Sequence, residues 1–157
     1  MFSVIDAKTN KYKVNKTGTY YVGDPCYCFS HSETTWSELC DSMDDTCQGI
    51  LTNKDNTISV LMLSTCYGDG TYQGTVDEES YEFPVDSGSL GLVHEFDIQE
   101  NCSYLRYKEL GATVYLSAGS VVTRSNTGEF KIVDPNGNTV VLISSSYDDN
   151  DEYASKF

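Results

Sequence analysis

Short runs of β-branched and aromatic residues, separated at regular intervals by turn-forming residues, extend through most of the chain. Twelve tyrosines and many valines, isoleucines and threonines suit pleated surfaces. The pattern predicts an all-β or β-rich α+β fold, an antiparallel sandwich or partly open barrel of about eight to eleven strands with one amphipathic helix. The predicted strands cover residues 12–14, 19–22, 57–64, 81–85, 90–96, 104–107, 113–116, 120–124, 129–133 and 139–144.

Two of these runs have little polar surface on either face. They are ISVLML at 58–63 and VVLIS at 140–144, and we predict that each is covered on both sides. Just before the second run, the sequence VDPNGNT at 133–139 indicates a hairpin. Its Asn136-Gly137 pair predicts a tight turn with positive φ angles at both residues.

One helix is predicted near residues 35–48. Thr35 followed by Glu38 forms a capping-box pattern in which the threonine is the N-cap. Gly49 is placed to end the helix in a left-handed conformation. The helix should pack on a sheet or across a barrel mouth through one apolar stripe, which comprises Trp36, Leu39, Cys40, Met43 and Cys47.

The length of 157 residues and the 39% hydrophobic content suit one domain with a single core. We predict a β-rich domain over 1–146 and an acidic, flexible tail over 147–157. The formal net charge of −14 disfavours direct binding to nucleic acid or anionic membranes and favours a partner with a basic surface, or metal ions. No apolar run is long enough to span a bilayer, and no signal-peptide pattern is present, so the predicted location is cytoplasmic.

The residues that catalysis requires do not form a complete motif. The six cysteines lack the C-x-x-C spacing of a zinc site, and reduced, mostly buried thiols are expected. No nucleophile-elbow, phosphate-loop or EF-hand pattern occurs, and only two histidines are available as bases. Catalytic residues therefore cannot be assigned, and a non-enzymatic role is favoured.

Three aspartates each lie in a tight turn next to a predicted strand: Asp24 in VGDPCY, Asp69 in YGDGTY and Asp86 in PVDSGS. Each could simply bond its own backbone in an Asx-turn, Asp69-Gly70 being a hairpin tip. If the turns converge, the carboxylates could instead hold Ca²⁺ or Mg²⁺, or accept hydrogen bonds from a nucleotide-like molecule stacked on tyrosine rings. The predicted binding residues are Asp24, Tyr27, Tyr67, Asp69, Tyr72, Asp86 and Ser87, and the three aspartates are the predicted metal ligands.

The order of these motifs resembles small proteins encoded by tailed phages and their bacterial hosts. The resemblance rests on GDPCY at 23–27, the tryptophan at the helix start, YGDGTY at 67–72 and FPVDSGSLG at 83–91, and it covers residues 18–93. It implies a bacteriophage accessory protein that acts in the host cytoplasm. Such proteins often blunt host defence by gripping a host protein, or by sequestering or cleaving a nucleotide signal.

Three functions are therefore expected from the sequence. The first is a non-enzymatic inhibitor that binds a host defence factor through an acidic surface. The second is a small-molecule sponge, or a metal-dependent hydrolase in which a bound metal activates water, built on the three aspartate turns. The third is a minor virion component.

Overall fold

The computed structural model describes residues 1–29, 33–42, 48–98 and 109–147. It confirms a β-rich sandwich with one α-helix, and the described strands number twelve, one more than the upper expectation. In chain order they are β1 (Phe2–Asp6), β2 (Lys11–Val14), β3 (Gly18–Gly23), β4 (Gly49–Thr52), β5 (Ser59–Ser64), β6 (Gly70–Val76), β7 (Glu79–Val85), β8 (Ser89–His94), β9 (Gly111–Leu116), β10 (Val121–Arg124), β11 (Phe130–Val133) and β12 (Thr139–Tyr147).

The strands form two antiparallel sheets that pack face to face. The seven-stranded sheet has the order β1-β2-β10-β11-β12-β6-β7, and the five-stranded sheet has the order β4-β5-β8-β3-β9. Inward-facing side chains from both sheets form the main core, because alternate residues of each strand point to the same face. Its largest fully buried side chains include Tyr20, Tyr72, Phe83 and Phe130.

A second, smaller core lies on the outer face of the five-stranded sheet. Here α1 (Glu33–Asp41) and a 3₁₀ helix (Pro25–Cys28) cover the outward-facing residues of β3, β5 and β8. The predicted apolar stripe is confirmed where it is described: Leu39 is fully buried, and Trp36 stacks on Phe29 with ring centroids 6.3 Å apart. Met43 and Cys47 lie outside the described residues.

The predicted ends of this helix are wrong. Thr35 is the third residue of α1 and is buried against the core, so it does not serve as the N-cap. The helix ends at Asp41, well before Gly49. Gly49 does take a positive φ of 117°, but it begins β4 and does not end the helix.

The second core explains why only one of the two runs predicted to be covered on both sides, 58–63 and 140–144, is so covered. Residues 60–63 of β5 are all buried, because the helical layer covers one face and the other sheet covers the opposite face. The same expectation is wrong for 140–144. β12 belongs to the seven-stranded sheet, whose outer face has no helical layer among the described residues, and Leu142 is 37% exposed there.

The hairpin between β11 and β12 is confirmed, but its turn differs from the prediction. Only Gly137 has a positive φ, at 89°. The Asp134 carboxylate accepts hydrogen bonds from the backbone N–H groups of Asn136 and Asn138, which closes a longer loop without requiring a left-handed Asn136. The predicted strand at 104–107 and residues 148–157 of the predicted tail lie outside the described residues. In the part of the chain that is described, no helix has the length and hydropathy needed to cross a membrane.

The turn between β6 and β7 is made without glycine. Asp77 and Glu78 have φ angles of 50° and 71°, the two left-handed positions of a tight hairpin turn. Glu78→Gly is therefore expected to raise the free energy of unfolding by about 1 kcal/mol, because a left-handed conformation costs a residue with a Cβ roughly 1–2 kcal/mol. Urea unfolding measures the change. Glu79→Gly, one residue further along in β7, should instead lower stability. A loss of stability in both variants would show that the left-handed backbone at Glu78 is not strained.

His94 lies at the end of β8, in the main core, and is 2% exposed. Its Nδ1 accepts a hydrogen bond from the backbone N–H of Phe96, and its ring lies between those of Tyr20 and Phe96. The Nε2 atom has no hydrogen-bond partner among the described residues. The ring fits because Gly18 has no side chain: a Cβ there would lie 2.5 Å from Nε2.

Burial, together with the nearby Lys16 ammonium, lowers the pKa of His94, while Asp97 and Glu95 act weakly in the opposite direction. Because the folded-state pKa lies below the unfolded value of about 6.5, His94 contributes stability above that pH, and the contribution is lost as the pH falls. We expect the urea midpoint to fall between about pH 7.5 and about pH 5, and to fall less in His94→Gln. Equal pH dependence in the two proteins would contradict this role.

Candidate functional site

The three aspartate turns meet at one end of the sandwich. Antiparallel pairing brings them together: Gly23 pairs with Gly91, Ser64 with Ser89, and Gly70 with Val85, so the residues that follow or precede these positions are neighbours. A backbone hydrogen bond of 3.0 Å from Thr65 N to the carbonyl of Gly88 joins two of the turns directly. We call the turns at 24–28, 65–69 and 86–88 the end loops.

Asp24 is the centre of the end loops and has no exposed surface. Its Oδ2 accepts hydrogen bonds from the backbone N–H groups of Asp86 and Ser87, each at 2.7 Å. Its Oδ1 accepts from the Ser87 hydroxyl at 2.6 Å and from the N–H of Cys26 at 2.9 Å, which caps the 3₁₀ helix. All four acceptor positions of the carboxylate are therefore used within the protein.

Glycines on three adjacent strands allow the Asp24 loop to lie close to the sheet. Gly111, Gly23 and Gly91 are cross-strand partners in one row. The ring of Tyr21 occupies the space above Gly23 and Gly111, and Pro25 lies over Gly91. Burial is the main cause that raises the pKa of Tyr21 well above its usual value, so its hydroxyl stays protonated and able to donate to the carbonyl of Asp24 or Leu110, each 3.2 Å away.

Thr65 shapes the second end loop, and sequence reasoning did not identify it. It is 1% exposed, and its hydroxyl oxygen accepts hydrogen bonds from Gly68 N at 2.9 Å and from the Tyr72 hydroxyl at 2.9 Å. Tyr72, a predicted binding residue, lies in the main core at 1% exposure. Its contacts fit a structural role beneath the loop. The one sequence signal for the bond between the Thr65 hydroxyl and the Gly68 N–H is a threonine a few residues before a glycine in a turn.

The other predicted residues lie at or near the surface of the end loops. Asp69, Asp86 and Ser87 are exposed, and Tyr67 is 49% exposed. The Asp86 carboxylate accepts a hydrogen bond of 2.9 Å from the hydroxyl of Tyr27. Burial, followed by this hydrogen bond and the Asp86 charge, raises the pKa of Tyr27, so the phenol is a donor at neutral pH.

The local electrostatic field at the end loops is negative. Burial is the first cause that raises the pKa of Cys26, and the carboxylates of Asp24, Asp86 and Asp69 raise it further. A thiol held protonated in this way is a poor nucleophile, because the thiolate is the reactive form. Of the other two end-loop cysteines, Cys28 is buried, whereas Cys66 is exposed, has a left-handed φ of 72° and contacts the guanidinium of Arg124.

The predicted Ca²⁺ or Mg²⁺ site stays a prediction, with less support for Asp24 than for the other two aspartates. A cation bound by Asp24 would have to displace hydrogen bonds that hold two loops together. Within the described ranges, no group of three or more His, Cys, Asp or Glu side chains is placed to hold a metal ion. Asp69 and Asp86 have carboxylates at the surface, where they can accept hydrogen bonds from a partner.

Comparisons of the chain with protein-family models, with curated proteins and with solved structures found no match. The geometry at the end loops is therefore the basis for a functional assignment. It consists of two exposed carboxylates and a half-exposed tyrosine on two neighbouring loops, one of which is held by the buried Asp24 and the other joined to it through Thr65 and Gly88.

Proposed function

We propose that the protein is a non-enzymatic binding protein that captures a partner with a basic surface through its end loops. The observation that carries the proposal is the division of roles among the aspartates. Asp24 is buried and ties its own loop to the 86–88 loop, which a backbone hydrogen bond from Thr65 to Gly88 joins to the 65–69 loop. Asp86 and Asp69 are exposed on these two loops. Rigid presentation favours binding, because little side-chain and loop ordering is left to oppose association.

The charge of the chain supports the same function. A net charge of −14 attracts a basic partner over distances of about 10 Å in 0.1 M salt, and it accelerates association. Tyr67, half exposed next to the carboxylates, can add a cation–π contact with a lysine or arginine. The resemblance to phage proteins makes a host defence factor in the bacterial cytoplasm the expected partner.

The hydrolase and nucleotide-sponge alternatives have less support from the geometry. Both need the three aspartates, or the tyrosines beside them, to face a shared ligand, but Asp24 and Tyr72 are buried and bonded within the protein. A thermal-shift screen with Ca²⁺, Mg²⁺, Mn²⁺ and nucleotides tests these alternatives, since a ligand at a hundred times its Kd stabilises by about 2.7 kcal/mol.

The proposal is tested by affinity capture from bacterial lysate at low and high salt. The test variant is Asp69→Asn/Asp86→Asn, and the control is Glu79→Gln/Glu82→Gln, which removes two exposed carboxylates from β7 and changes the net charge equally. We expect the wild type and the control to retain a protein with a basic surface at low salt, and the test variant to lose it. Capture of nothing at either salt concentration, or equal capture by the two variants, would refute the proposal.

A further inference from the structure

Among residues 1–29, 33–42, 48–98 and 109–147, one side of the sandwich is open between two edge strands. β1 is the edge of the seven-stranded sheet, and β4 is the edge of the five-stranded sheet. A cavity of about 280 Å³ lies between them, and its apolar lining comes from Val4, Tyr12, Ile50 and Leu51. On one side of each edge strand, the backbone groups pair with no other strand of the described part of the chain.

A side-chain amide in the lining of this cavity has one donor that no described residue uses. Asn10 is only 7% exposed, and its Oδ1 accepts a hydrogen bond of 3.0 Å from Nε2 of Gln48. Its Nδ2 donates to no atom of the described residues. Asn10 also has a left-handed φ of 52°, which fixes the amide at the end of the β1–β2 turn. An unused donor in the wall of the cavity can donate to an acceptor on a ligand, such as a peptide carbonyl.

Charge distinguishes the N-terminal segment, which contains β1 and β2, from the rest of the chain. Residues 1–16 contain four lysines and one aspartate, which give a formal charge of +3. Since the net charge of the chain is −14, the remaining residues carry −17. Two of the lysines, Lys11 and Lys13, are exposed on β2. Lys13 is the cross-strand partner of Ser3 on β1, on the opposite face of the strand from Tyr12 and the cavity.

β1 is also less protected against pairing than another edge of the same sheet. β7 contains Pro84 and exposed glutamates, which are features that block the addition of a strand. β1 instead exposes two aliphatic residues, Val4 at 53% and Ile5 at 48%. Ile5 is the extra residue of a bulge, which leaves the segment Phe2–Val4 as the regular part of the edge.

We propose that this open side binds an extended segment of a partner protein in which aliphatic and acidic residues alternate. Side chains of a strand point alternately to its two faces, so one set would enter the cavity and the other would lie on the lysine face. Lys13 would be about two strand spacings, or roughly 10 Å, from the added backbone, a distance that lysine and glutamate side chains span together. The backbone of the segment would pair with β1, and a carbonyl would accept from Asn10.

The experiment uses the purified full chain and a displayed library of random eight-residue peptides. We expect enrichment of peptides that alternate valine, isoleucine or leucine with aspartate or glutamate. An enriched peptide should then protect the amides of β1 in hydrogen exchange. Its affinity should fall about tenfold in Lys11→Glu/Lys13→Glu, since charge reversal turns attraction into repulsion.

Val4→Glu should abolish binding, because it places a carboxylate at the mouth of the cavity. Its matched control is Tyr115→Glu, a substitution at a 65% exposed position on β9, an edge strand of the other sheet, which should bind normally. Three results would overturn the proposal: no enrichment, enrichment of basic peptides, or protection at the end loops in place of β1. Preferential binding of a single-stranded DNA probe, or concentration-dependent self-association that Lys11→Glu/Lys13→Glu abolishes, would assign the surface to a different occupant and would also overturn it.

Discussion

Asp24→Asn is expected to lower the free energy of unfolding by about 4 kcal/mol, because hydrogen bonds to a charged group contribute roughly 1.5–3 kcal/mol each, at least one of the four would be lost and the others would go to a neutral acceptor. An asparagine has the same shape, but its amide nitrogen is a donor. In one orientation that nitrogen faces the N–H groups of Asp86 and Ser87, and in the other it faces the N–H of Cys26 and the Ser87 hydroxyl. Of these groups only the hydroxyl can accept from it.

Chemical denaturation of both proteins measures this loss, and the melting temperature should fall by about 8–16 °C for a chain of this size. Asp69→Asn is the matched control. It makes the same chemical change at an exposed position of a neighbouring loop, and should alter stability by less than about 0.5 kcal/mol. If Asp24→Asn were as stable as the control, the carboxylate would not hold the loops, and its burial would need another explanation.

The pair of variants also separates folding from binding. Asp24 should act on partner capture only through the order of the loops, whereas Asp69 and Asp86 should act on capture without loss of stability. The aspartates look equivalent in the sequence because each lies in a short turn beside a strand. Their different environments come from long-range contacts, since Asp24 accepts hydrogen bonds from residues more than sixty positions away.

The β-sandwich was predictable because the strand pattern is local. Alternation and β-branched residues identify the strands, and the apolar run at 58–63 correctly indicated a strand covered on both faces. The same rule failed at 140–144, since the presence of a helical layer over one sheet and not the other is a property of the tertiary fold. It also missed β6 (Gly70–Val76), where two glycines and a glutamine weaken the apolar pattern.

The convergence of the end loops was only a conditional expectation, because strand order cannot be read from local patterns. The fold brings the turns together through the pairing of β8 with both β3 and β5. Local chemistry did identify one detail: an aspartate before proline favours an extended backbone, and Asp24 has φ −77° and ψ 114°. The burial of its side chain depends on glycines in strands distant along the chain.

Replacing one of those glycines, Gly91, is expected to have the second large effect on stability. Gly91→Ala is expected to cost about 3 kcal/mol or more and to prevent folding in a marginally stable protein, because overpacking a rigid core commonly costs 1–3 kcal/mol and a backbone clash adds to it. A Cβ at Gly91 would lie 1.8 Å from the carbonyl oxygen of Leu61 and 3.0 Å from Pro25. Because Leu61 belongs to the neighbouring strand β5, the clash with its carbonyl oxygen can be removed only if β5 and β8 move apart.

Gly137→Ala is the control for the loss of glycine itself. Gly137 has a left-handed φ of 89°, and no atom lies within 4 Å of the position of its Cβ, so the variant should lose only about 1–2 kcal/mol from backbone strain. Gly91 has no such φ, and its cost is steric. Expression yield, circular dichroism and urea unfolding of the two variants measure the difference. If Gly91→Ala were the more stable of the two, β5 and β8 would not approach as closely as described, and the position of the Asp24 loop over Gly91 would have to be revised.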